Sequence, residues 1–77
     1  MRKYFLIDDE TQASAVIFTE AFNTLEEAKK AGQRTVDYMT ESEKKKSGGV
    51  FILYGEPLED DEDNTDWNTA EEVYRFI

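Results

Sequence analysis

The sequence predicts an α+β domain, a three- or four-stranded antiparallel sheet in the order ββαβ(β) with one main helix packed on one face. Three observations carry that reading. Short aromatic and β-branched runs recur at residues 3–7, 13–22 and 50–54. A capped segment with one apolar stripe lies between the second and third of them. The first two runs are joined by a short polar stretch, the connection of an antiparallel hairpin.

In chain order, Lys3-Tyr4-Phe5-Leu6-Ile7 forms the first strand, and the polar residues from Asp8 to Gln12 are predicted to turn. Val16, Ile17 and Phe18 mark the second strand. Asn23 or Thr24 then caps a helix, with Glu26 or Glu27 completing a capping box and complementing the helix dipole. Leu25, Ala28, Gly32, Val36 and Met39 recur at three- and four-residue spacing, so the helix runs from about 24 to 39, with small residues that let it lie close to a sheet.

Thr40-Glu41-Ser42-Glu43 repeats the capping signature, and Lys44-Lys45-Lys46 before Ser47-Gly48-Gly49 predicts a short helical turn ending in a glycine loop. Val50-Phe51-Ile52-Leu53-Tyr54, the most apolar run, is the central strand, closed by Gly55 and Pro57. Glu56 to Asp66 reads as an exposed acidic loop of a composition that favours disorder, with Leu58 its only strongly apolar residue. The final segment has helical features (Thr69-x-x-Glu72, then Ala70, Val73, Tyr74 and Ile77), but the propensities of Val73-Tyr74-Arg75-Phe76-Ile77 favour a last strand.

Seventy-seven residues make one domain, with ten aromatic residues to build its core. No cysteine and no histidine are present, which excludes disulfides, thiolate chemistry and the commonest metal ligand and proton shuttle. The lack of disulfides in so small a domain favours a cytoplasmic location. No apolar run approaches the ~20 residues of a membrane span.

Net charge is −9, and it is unevenly distributed. Residues 1–55 nearly balance, whereas residues 56–77 hold nine acids against one base, Arg75. Direct contact with nucleic acid or an anionic membrane is disfavoured, and a basic protein partner is the electrostatic complement. Glu59, Asp60, Asp61, Glu62, Asp63 and Asp66 are the candidate contact residues, with Trp67 and Tyr74 as aromatic anchors. A solubilising role for the same charge is the alternative.

Asp61, Asp63, Thr65 and Glu72 fall at positions 1, 3, 5 and 12 of a calcium-loop frame. Asp66 stands where that frame needs glycine, and the preceding strand leaves no entering helix, so no metal or other cofactor is expected. Phe5-Leu6-Ile7-Asp8-Asp9-Glu10 resembles the first strand of a response-regulator receiver, but the chain is too short for that fold and no aspartate ends its third apolar strand. With no histidine base for a nucleophile and little room for a cleft, catalysis is not expected. Both alternating sets of side chains in the strands include large apolar residues, yet only one main helix is available. The second sheet face is therefore expected to be partly bare, or covered by a homodimer partner or another protein.

Phe22-Asn23-Thr24-x-Glu26-Glu27-Ala28, followed by Thr40-x-x-Glu43-Lys44-Lys45 and an apolar strand, resembles short uncharacterised proteins of gut bacteria and their mobile elements. The resemblance covers about half the chain and implies no activity. In size, acidity and fold class the chain is also similar to phage inhibitors such as anti-CRISPR proteins, which implies mimicry of nucleic-acid charge. The functional expectation is a non-catalytic protein-binding module, with a structural homo-oligomer, a charge-mimicking inhibitor and a weak calcium-binding module as alternatives.

Overall fold

Residues 1–10 and 16–77 are described in a computed structural model. Strands β1 (Lys3–Glu10) and β2 (Val16–Phe22) precede helices α1 (Leu25–Tyr38) and α2 (Glu41–Lys46), then strands β3 (Gly49–Gly55) and β4 (Glu71–Arg75). All neighbouring strands are antiparallel, and the sheet order is β2-β1-β3-β4. The fold is thus the α+β sheet with one main helix that the residue pattern predicts, and the final segment is a strand.

β1 is three residues longer than expected. Asp8, Asp9 and Glu10 continue the strand, pairing with Phe18, Ile17 and Val16, rather than turning. Two partners explain the extension, since β3 also pairs with β1 as far as Asp9. Hydrogen bonding to both neighbours outweighs the turn propensity of adjacent aspartates. The rest of the expected hairpin turn, residues 11–15, lies outside the described residues.

Strand alternation divides the apolar side chains between two faces. Leu6, Val50 and Ile52 are buried on one face together with Ala28 of α1. Phe5, Ile7, Phe51 and Leu53 are buried on the other.

α1 covers the first face. Thr24 is its cap: the Glu27 amide donates to Thr24 Oγ1 at 3.2 Å, and the same hydroxyl donates to Glu27 Oε1 at 3.0 Å. Fourteen residues give a helix of about 21 Å, sufficient to lie along the paired strands. Ala28 and Gly32 form its buried line. A side chain at Gly32 would collide with the Phe76 ring and lie 3.0 Å from Leu6 Cδ1, so glycine sets how closely helix and sheet approach. Phe76 reaches this position because its amide donates to the Val50 carbonyl at 2.8 Å just beyond β4. α2 begins with a full capping box between Thr40 and Glu43, at 3.0 and 3.1 Å.

The cap assignment yields a direct comparison. Thr24→Ala should cost about 1 kcal/mol in a urea unfolding series. Asn23→Ala, whose residue is exposed and outside the cap bond, should cost less than half as much. Equal losses would place the cap elsewhere.

Candidate functional site

The second sheet face is covered by the chain itself, which corrects the expectation of a bare or partner-covered surface. Phe5 and Ile7 are fully buried there, and Phe51 and Leu53 nearly so. The cover includes the connection between β3 and β4. Ala70 packs against this cluster, and Trp67 meets the Phe51 ring edge-on with centroids 6.1 Å apart. From β4, the Arg75 guanidinium lies 4.6 Å from the centre of the same ring. A Cβ at Gly55 would come within 2.8 Å of both the Ala70 Cβ and Thr65 Oγ1, and within 2.9 Å of the Ala70 Cα. Glycine at the end of β3 is what allows the connection to fold back over the sheet.

The same segment is ordered by its own hydrogen bonds. Pro57 and Thr65 form an antiparallel bridge, and the Leu58 amide donates to the Asn64 carbonyl at 3.0 Å. The Glu56 carbonyl accepts from Thr65 Oγ1 at 2.7 Å and from the Asp66 amide at 3.1 Å. Thr65 is buried, a pin between this small hairpin and the core. Thr69 Oγ1 donates to the Asp66 carbonyl at 2.9 Å and accepts from the Glu56 amide at 3.3 Å. A run whose composition favours disorder is therefore a folded hairpin, because threonine hydroxyls satisfy backbone groups that its few apolar residues could not organise.

Most of the expected contact residues sit at the tip of this hairpin. Glu59, Asp60, Asp61, Glu62 and Asp63 are all exposed. Asp61 shapes the tip, accepting from the Asp63 amide at 3.3 Å through Oδ1 and from the Asn64 amide through its carbonyl at 3.1 Å. Asp66 is half-buried, its Oδ1 accepting from the Asn68 amide at 3.0 Å. Among the described residues, no ion pair within 4.0 Å involves the carboxylates of the tip.

Trp67 and Tyr74 do not form one surface. Trp67 is 50 % exposed on the hairpin side, whereas Tyr74 lies opposite Ile52 on the helix side. There it packs against Phe76, and the Lys29 ammonium sits 4.4 Å from its ring centre. Of the two, only Trp67 lies on the hairpin side of the sheet.

The calcium frame is not assembled. Thr65 gives its hydroxyl to Glu56, and Glu72 on β4 accepts from Arg75 at 2.6 and 3.1 Å. That guanidinium holds the Glu72 carboxyl below the usual glutamate range, and the carboxylate pushes Arg75 up in turn. Glu43 is also held below the usual range, by the Thr40 amide and then its hydroxyl. Among the described residues no three acidic side chains are grouped to hold a metal ion.

A cleft that the residue pattern did not indicate opens on the helix side. Asp8 and Thr35 line two adjoining depressions of about 340 and 330 Å³, one bounded by Tyr38 and Met39, the other by Phe18 and Glu20. Ser47 at its rim has its hydroxyl committed to the backbone, donating to Asp9 and accepting from the Gly49 amide. The cleft offers shape and two exposed rings, Phe18 and Tyr38. Phe18 could have been singled out only by knowing that it lies opposite Asp8, beyond the helix cover.

Comparison with protein-family models, curated proteins and solved structures finds no match. No helix among the described residues is long and apolar enough to cross a membrane.

The seat of the hairpin can be tested against the seat of the helix. Gly55→Ala forces a methyl onto the Ala70 backbone and should cost about 1–3 kcal/mol. Gly32→Ala meets a side-chain ring that can shift and gains about 1 kcal/mol of helix propensity, so its cost should be smaller. Chemical denaturation ranks the two, and Trp67 emission should shift to the red only in Gly55→Ala.

Proposed function

We propose that this chain is a non-catalytic protein-binding module that meets a basic partner with the acidic hairpin tip, Trp67 on the hairpin side of the sheet serving as the apolar anchor. One observation carries the reading. Five consecutive acids are exposed on a hairpin whose base is fixed to the core by Thr65. Solubility requires charge but no fixed arrangement of it. A tip held in place loses less conformational freedom on binding than a flexible tail. Its carboxylates attract opposite charge over the ~8 Å that salt leaves unscreened at physiological ionic strength. Half of the Trp67 surface remains open on the hairpin side, where an aromatic ring can supply contact area once a partner has been drawn in. The reading places this module in the cytoplasm, where small domains without disulfides are common.

The test is kinetic. With a basic protein captured from the native host on the immobilised chain, replacing Glu59, Asp60, Asp61, Glu62 and Asp63 by their amides should slow association tenfold or more at low salt, with little change in dissociation. Trp67→Ala should instead speed dissociation. Unchanged association of the amide variant across salt concentrations would reduce the tip to a solubilising role.

A further inference from the structure

The sheet order leaves β2 and β4 as the two edges, and the two are built differently. β4 carries Glu71, Glu72 and Arg75 in five residues, and its register slips at Val73, opposite Ile52 and Leu53. Charge and a bulge are the devices by which proteins keep a further strand from adding to an edge. β2 has neither protection. Its seven residues pair with β1 in unbroken register from Glu10↔Val16 to Tyr4↔Phe22, without proline, and Glu20 is its only charge. Phe18 projects from it, 56 % exposed. Among the described residues no strand pairs with its outer side.

We infer that the outer edge of β2 is the docking strand for a second copy of this chain, joined antiparallel about a two-fold axis at Thr19 so that the two sheets become one. The sequence of β2 is self-complementary in that register. Val16 falls opposite Phe22, Ile17 opposite Ala21 and Phe18 opposite Glu20 of the second copy, so no like charges stand directly opposite and the two Glu20 carboxylates meet only on a diagonal. The two Phe18 residues become diagonal neighbours, separated by the ~7–8 Å that aromatic side chains span across a strand pair. The long-range charge also fits. The acidic hairpin is rooted at β3 and β4, and β4 lies three strand spacings, about 14 Å, from β2. The two-fold places the acidic tips toward the outer ends of the joined sheet, separated by more than the screening length. One carboxylate on β2 gives a basic foreign strand little to recognise, which favours the second copy. This pairing is independent of the partner assigned to the acidic tip.

Sedimentation of the full chain across a concentration series tests it. A dimer should be populated by about 100 μM, as expected for a small interface. F18E places carboxylates opposite Glu20 at both symmetry-related positions and should weaken the dimer at least tenfold, with the circular dichroism of the monomer unchanged. F18E/E20K restores opposite charges in that register and should recover the association, and Y74E on the other edge should leave it intact. If F18E fails to fold, intermolecular nuclear Overhauser contacts between Phe18 rings in a mixed-label sample decide the register. A monomer throughout the series, a dimer indifferent to F18E, failure of F18E/E20K to recover it, loss of the dimer in Y74E, or absence of the Phe18 contacts would each overturn the proposal.

Discussion

Everything in this fold follows from a sheet whose two inner strands are apolar on both faces. β1 contributes Phe5 and Ile7 to one side and Leu6 to the other; β3 contributes Phe51 and Leu53, then Val50 and Ile52. Such strands need two covers, and in so short a chain a single helix supplies only one. The connection between β3 and β4 must take part in the second. Gly55 clears its path, Ala70 and Trp67 provide apolar contact, and Thr65 anchors it through a buried hydroxyl.

That solution determines where charge can go. A covering segment with few apolar residues must turn its remaining side chains to water, and here those are carboxylates. The acidic tip is therefore an outward projection of a structural element rather than an appended tail. Folding stability and the proposed recognition of a basic partner share one hairpin. Its exposed residues can change without loss of the core, while Gly55, Thr65 and Ala70 cannot. The opposite edge, β2, carries a single charge, Glu20, which divides the surface into a charged end and a nearly neutral one.

Much of the architecture was legible because it rests on local signals. Thr24 and Thr40 with glutamate three residues on fix both helix starts, and Val50 to Tyr54 can hardly be anything but an inner strand. The last strand was legible in Val73 to Phe76, despite a helical pattern that overlaps it. Asp8 to Glu10 misled because turn propensity is local, whereas their strand conformation comes from pairing with β2 and β3. The hairpin of residues 57–65 misled for a related reason. Its order comes from hydroxyl-to-carbonyl bonds and from the room that Gly55 leaves beside Thr65 and Ala70, neither visible in composition. Trp67 and Tyr74 were each legible as a candidate anchor, but not that strand parity puts Tyr74 on the helix side while Trp67 packs on the other face against Phe51.

Native-state hydrogen exchange at the Leu58 and Asp66 amides tests the central claim, that the acidic connection is a folded cover of the sheet. Leu58 donates to the Asn64 carbonyl and Asp66 to that of Glu56. If the hairpin seals the second face, both amides should exchange orders of magnitude more slowly than those at the tip, approaching the protection of β3. Exchange at the rate of an unstructured peptide at both positions would contradict it, leaving Phe5, Ile7, Phe51 and Leu53 without the cover on which this account rests.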